Sequence, residues 1–351
     1  MSLRNIYRKK NKISFFTTPS HSGKFFIFHK FLNFYKYDIS ETDTHNPEKA
    51  LDLSQKYASK IYGTNKTLYL TNGSSSGIIA AVLTCVKRNE NVLIWKDSHI
   101  CHHNAVKLAG ANEVFYDMVY DDNLSVFTGV DLNSFENNLK NNSIKAAIVT
   151  SPTYEGFVSD LKSIQKLCKK YGCYLIIDEA HGALYPFSED LPETALNYAD
   201  IVVQSLHKTA GGLNPTALIH CNNPNLDINK ALKLITTTSP SYPLLTSIEA
   251  NISFLNSQKG KNNIKNLVKR IKHLKENCPN IEFYGNDITK LLIKVKDNNG
   301  NYLSGENISS KLYEKGIEDE KVNERSVLLL CGVGTDRKKL IKLENALKHI
   351  Y

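Results

Sequence analysis

A lysine that directly follows an apolar run is a candidate nucleophile, because the run fixes its backbone and leaves the amine little freedom to reach water. Lys208 stands in that position, after the run 201–204 and the residues Ser205, Leu206 and His207. Ala210, Gly211 and Gly212 come next, so the backbone beside the ammonium can turn and other groups can approach it closely. Upstream, a second apolar run, 173–177, ends in Asp178 and continues Glu179, Ala180, His181, Gly182. If both runs are strands of an open α/β sheet, their carboxyl ends are where a ligand sits. An amine that can form a Schiff base and a carboxylate that can keep a pyridinium nitrogen protonated are what pyridoxal 5′-phosphate (PLP) requires of a protein. A plain buried salt bridge between Asp178 and Lys208 would use the same two residues, and the pair alone leaves both readings open.

Further strand ends carry polar groups. The run 67–70 stops at Thr71, Asn72, Gly73, Ser74, Ser75, Ser76 and Gly77, just before the apolar stretch 78–86. Glycine and hydroxyls between a strand end and a helix start present free N–H groups in the field of the helix, which suits a phosphate; an ordinary serine cap is the alternative. The sequence has neither the lysine of a P-loop nor GxGxxG spacing there. The run 91–95 leads to His99, His102 and His103. Their spacing does not give a shared helix face unless the helix begins at His99, and no HExxH pattern is present, so no metal site is expected. A histidine just past a strand end can instead lie flat on an aromatic cofactor.

The elements that must position these residues follow from periodicity. A helix is expected from about 47 to 61, and strands at 113–116, 145–150, 173–177, 200–204 and 217–220, with helices at 132–139 and 161–171 among them. This alternation predicts an α/β domain with a mostly parallel sheet covered by helices on both faces. Two long helices through Leu255 and Leu274 follow, then strands at 290–295 and 326–331 with helices at 308–315 and 338–349, a compact α+β arrangement. The expected division is an N-terminal arm (1–45), a large PLP-binding domain (46–245) and a small C-terminal domain (246–351).

Composition narrows the class. The 351 residues are 41% hydrophobic, which excludes a disordered or fibrous chain. No apolar run is long enough to span a membrane and the basic first dozen residues have no apolar core after them, so a cytoplasmic protein is expected. The net charge of +9 is dispersed, and its densest patch, 259–275, carries Ile264, Leu267, Val268, Ile271 and Leu274 at helical spacing, so a solvated helix face is favoured over nucleic-acid binding. Seven scattered cysteines without CxxC spacing suggest neither a disulfide framework nor zinc.

Taken together, the motifs resemble those of the ornithine/lysine/arginine decarboxylase family, within the aspartate-aminotransferase-fold (fold type I) PLP enzymes. The resemblance runs from about residue 14 to the C-terminus. It rests on six ordered blocks: 70–76, Ser98–His99 through Gly110–Ala111, Ser151–Pro152–Thr153–Tyr154–Glu155–Gly156, Asp178–Glu179–Ala180–His181–Gly182–Ala183, Gln204–Ser205–Leu206–His207–Lys208 and Thr238–Ser239–Pro240–Ser241–Tyr242. It implies that Lys208 carries the internal aldimine, that Asp178 binds the ring nitrogen and that His99 stacks on the ring. Ser74, Ser75, Ser205 and His207 would hold the phosphate, with Thr238 or Ser239 added from a second subunit of a homodimer. His181 would lie near the phenolic oxygen or the substrate carboxylate. The implied reaction is decarboxylation of lysine, ornithine or arginine; transamination, a lyase step or PLP binding without turnover would use the same sink. The sequence departs from the family at Pro19–Ser20–His21–Ser22–Gly23–Lys24, where Pro–Gly–His–Lys is usual, and in a shorter C-terminal region. The acidic run Glu318–Asp319–Glu320 after Gly316–Ile317 resembles the family's Gly–Ile–x–x–Glu and could attract a diamino acid.

Overall fold

The computed structural model describes residues 14–17 and 49–350; the turn cluster at 18–24, the remainder of the expected arm and the first expected helical residues at 47–48 lie outside the described residues. The chain begins with β1 (Ser14–Phe15), α1 (Lys49–Tyr62), β2 (Lys66–Leu70), α2 (Ser74–Cys85), β3 (Asn91–Trp95), α3 (Ile100–Ala109) and β4 (Asn112–Tyr116). A hairpin of β5 (Met118–Asp121) and β6 (Val126–Val130) leads to α4 (Leu132–Asn141), β7 (Ile144–Thr150), α5 (Leu161–Tyr171), β8 (Tyr174–Asp178), β9 (Ile201–Ser205), the single turn α6 (Leu206–Thr209) and β10 (Ala217–Cys221). The helices α7 (Ile228–Ile235), α8 (Tyr242–Asn256) and α9 (Gln258–Asn277) come next. The chain closes with β11 (Ile281–Tyr284), β12 (Lys290–Val295), α10 (Gly305–Glu314), β13 (Ile317–Glu318), β14 (Lys321–Val322), β15 (Val327–Leu330) and α11 (Arg337–Leu347).

Seven strands form the main sheet in the order β2-β10-β9-β8-β7-β3-β4. All pairs are parallel except those of β10, which runs antiparallel to both β2 and β9. The expected α/β class with a mostly parallel sheet is therefore what the chain adopts. Both faces are buried: Leu175 and Ile177 of β8 join one core, while Ile176 between them joins the other, as do Ala147 and Val149 against Ala146 and Ile148 on β7. This is why these strands read as continuous apolar runs rather than as alternation. The second sheet, β11-β12-β15-β14, is antiparallel and has its own core with α9, α10 and α11. β1 pairs in parallel with β13, and Phe16 is buried in that C-terminal core.

Local chemistry sets the helix ends that aim the site. Asp160 accepts from Ser163 N at the start of α5, and Gly172 ends that helix at φ 68°, where a left-handed residue is needed. The buried face of α5, Leu161, Ile164 and Cys168, follows helical spacing. α2 packs most tightly on the strands at Gly77, where a Cβ would come within 2.7 Å of the Val203 side chain and 2.8 Å of the Leu70 side chain. That close approach holds Ser74 and Ser75 over the end of the sheet.

Candidate active site

Five strands end at one cavity of about 710 Å³. β2 contributes Asn72, Gly73, Ser74 and Ser75, β3 contributes Trp95, Ser98 and His99, β7 leads to Thr153, Tyr154 and Glu155, β8 ends in Asp178, and β9 leads through α6 to His207 and Lys208. Thr150 and Asp178 are level in the β7–β8 register, and Asp178 is level with Val203 on β9, so the carboxylate and the lysine turn emerge side by side. Lys208 itself sits on a single helical turn, closed by Ala210 N donating to Leu206 O.

Of the residues singled out in the sequence, Ser74, Ser75, His99, Asp178, His181, His207 and Lys208 all line this cavity. Ser205 does not line it; it is fully buried next to Lys208's turn, and its Oγ has no hydrogen-bond partner. Thr238 and Ser239 are not among its lining residues either, and Ser239 N donates instead to Thr237 Oγ1 at 3.1 Å.

Asp178 is buried, with Oδ2 3.0 Å from His102 Nε2 and Oδ1 accepting from Ala180 N at 3.1 Å. Burial raises its carboxyl, but the His102 hydrogen bond and charge, Lys208 and the Ala180 N–H outweigh that and hold it below the usual value. The carboxylate thus pairs with His102, while Lys208 Nζ turns to His181 Nε2 at 3.2 Å. The plain Asp178–Lys208 salt bridge left open by the sequence is not what the site contains. His181 is held neutral, well below its ordinary value, first by burial and then by the charges of Lys290 and Lys208. Its Nδ1 is buried without a partner. His99 is lowered as well, by burial ahead of the opposing pull of Asp178, and its Nδ1 accepts from Cys101 N to cap α3.

Nothing in the sequence distinguishes His102 within the run of three histidines, which reads as a rejected metal pattern and, at His99, as a ring to lie on a cofactor. The structure places Cys101, His102 and Asp178 with ligand-type atoms within 4.8 Å of one another, and a hydrogen bond joins His102 to Asp178. Two further walls were not legible as site residues. Val126 and Phe127 of the hairpin line the cavity beside Trp95, whose ring meets Phe127 edge-on at 4.7 Å. On another side stand Tyr154, Glu155 and Lys321, the last from β14.

The residues fit PLP on chemical grounds. In the cavity the Lys208 amine stands beside the neutral His181 imidazole, and the buried Asp178 carboxyl is held below its usual value. Hydroxyls and backbone N–H groups stand at the start of α2, where no side chain caps the helix, and His181, which lines the cavity, has a buried Nδ1 with nothing to bond. Buried polar atoms are rarely left unpaired unless something outside the chain is to meet them. Beneath the site, Glu179 accepts from Ala195 N, Thr194 Oγ1 and Gln204 Nε2, and Gln204 meets His220, which meets Thr67. This network ties β8, β9, β10 and β2 together under the floor.

The chain is similar in sequence and in fold to known proteins. The family model described as Orn/Lys/Arg decarboxylase, major domain, matches residues 5–285. The uncharacterized protein YaaO of Bacillus subtilis is 29% identical over 95% of this chain and 73% of its own length. An arginine decarboxylase of Bacillus anthracis is 28% identical over 73% of this chain and 55% of its own. The crystal structure of the Francisella novicida lysine decarboxylase LdcF superposes with a TM-score of 0.78 at 19% identity, covering 92% of this chain and 54% of that one. The chain therefore spans little more than half the length of these two decarboxylases.

Proposed function

The chain belongs to the Orn/Lys/Arg decarboxylase family, and from that premise we propose that it is a PLP-dependent decarboxylase that converts a basic amino acid, lysine, ornithine or arginine, into CO2 and the corresponding amine. The observation that carries this reading is that the Lys208–His181 pair and Asp178 share one cavity, with Asp178 held from behind by the buried His102.

When bound, PLP supplies an electron sink for the bond that breaks at the α-carbon of an amino acid. Lys208 Nζ would anchor the cofactor covalently, and Asp178 would keep its ring nitrogen protonated, a role for which a carboxylate held ionised by His102 is suited. His99 would lie on the ring face. Ser74, Ser75, Ser205 and His207 would bind the phosphate. Neutral His181 can accept a proton from Lys208 Nζ, and Lys208 or His99 would return one to the carbon that loses CO2. Burial of the cavity floor keeps water from competing for these charges.

The proposal extends to assembly. Thr238 and Ser239 lie off this chain's own cavity, which supports the reading that they serve the phosphate of a second subunit in a homodimer, the commonest closed assembly. Mixing Lys208→Ala subunits with Thr238→Ala/Ser239→Ala subunits is expected to change PLP affinity at the remaining lysine site; equal affinity with either partner would place the whole seat within one chain. The seven buried free thiols support a reducing, cytoplasmic setting, and among the described residues no helix is long and apolar enough to cross a membrane.

Product analysis tests the activity. PLP-loaded protein offered each amino acid separately should yield CO2 and the matching amine, a compound of the polyamine class. A keto acid would indicate transamination on the same sink, and no product with any amino acid would reject turnover.

A further inference from the structure

Three carboxylates face the cavity: Asp97 at its exposed rim, Asp178 in its floor and Glu155 in its wall. Asp178 is committed to His102 and the Lys208 end. Glu155 is 5% exposed, and its Oε1 accepts from Lys321 Nζ at 2.5 Å. The two partners differ in kind. Glu155 is held by a rigid loop: Lys290 Nζ, fully buried beneath, donates to the carbonyls of Thr153 and Tyr154 at 3.2 and 2.5 Å. Gly156 sits at φ 98°, so close to Lys290 that a Cβ would meet its stem at 2.8 Å. Lys321, by contrast, is on the two-residue edge strand β14, with its side chain 45% exposed. A fixed buried carboxylate is thus neutralised by a cation that can swing into solvent.

The wall connects directly to the lysine end. The Tyr154 ring meets the His181 ring edge-on with centroids 4.9 Å apart, and His181 is hydrogen-bonded to Lys208. Tyr154 OH donates to Glu320 Oε1 at 2.6 Å, and Lys321 Nζ lies 5.4 Å from the Tyr154 ring centre. A buried carboxylate beside an aromatic face is a site for an ammonium or guanidinium, and Lys321 demonstrates that it accepts one.

Resting on the reading above, we propose that Glu155 receives the side-chain cation of the basic amino acid and that Lys321 is a resident cation which the substrate displaces. Glu155 selects a substrate with a distal positive charge, because an uncharged side chain cannot replace Lys321 without leaving the carboxylate buried and unpaired. Lys321 raises the concentration of substrate needed and excludes weak occupants.

Trp95, the single tryptophan of the chain, lines the cavity and reports binding without turnover. PLP-loaded protein is titrated with 1,5-diaminopentane and with 1-aminopentane, which lacks the distal cation, and the emission change gives each affinity. The wild type should prefer the diamine. Glu155→Gln, which keeps shape and removes charge, should lower diamine affinity by about tenfold or more and abolish the preference, with monoamine binding unchanged. Lys321→Met, which keeps the stem, should tighten the diamine. A wild type without preference, an unchanged ratio in Glu155→Gln, or weaker diamine binding in Lys321→Met at an unaltered melting temperature would each overturn the proposal. Because the readout is binding, a preference abolished by Glu155→Gln would uphold the subsite even if no basic amino acid were decarboxylated.

Discussion

Lys208→Ala is expected to abolish the visible absorbance of lysine-bound PLP and to reduce turnover by on the order of 10³-fold or more, while leaving the far-UV spectrum and melting temperature close to those of the wild type. The side chain faces the cavity rather than either core of the main sheet, and its hydrogen bond runs to His181 Nε2 rather than to a buried carboxylate. Its loss therefore removes an anchor and leaves no charge stranded. Borohydride treatment followed by peptide mapping checks the result: in the wild type the cofactor should be fixed to the peptide containing Lys208, and in the variant to none. A reducible chromophore retained by the variant would move the anchor elsewhere.

Asp178→Asn is expected to lower turnover by about 10²–10³-fold with a much smaller loss of PLP affinity. Asparagine keeps the shape and the contact with His102 but cannot keep a ring nitrogen protonated. The pH behaviour follows from the direction of the shift. The folded carboxyl is held below its ordinary value, so its contribution to stability is present above the unfolded value of about 3.9 and is lost as pH falls through the lower, folded one. Activity between neutral pH and the unfolded value should therefore show no limb due to Asp178. Measuring kcat and PLP affinity separately for the variant distinguishes loss of the sink from loss of the cofactor, and near-normal kcat would show that the chemistry does not need a protonated ring.

Much of the site was legible because its groups sit directly at strand ends. Asp178 closes an apolar run, Lys208 follows one, and Ser74 and Ser75 open a helix after one, so a parallel sheet gathers them whatever the details of the loops. His181 and His207 came with the same motifs. His102 was not legible as the partner of Asp178, since that contact spans two helical and strand elements and depends on α3 starting at Ile100. Lys321 reaches the cavity from the second sheet, and nothing in the local sequence distinguishes it from the lysines of a solvated face. The hairpin β5–β6 was missed because its two strands lie partly exposed and lack the buried run that marks the others. The antiparallel placing of β10 leaves no trace in composition, because a strand buried on both faces reads the same in either direction.

The most direct measurement follows the carboxyl carbon. Wild-type and Lys208→Ala proteins, both incubated with PLP, are given lysine, ornithine or arginine labelled at the carboxyl group. The wild type should release the label as CO2 from at least one of them, with an equal amount of the matching amine, and Lys208→Ala should release none above the free-cofactor rate. Label retained in a keto acid, or released equally by both proteins, would contradict decarboxylation at Lys208.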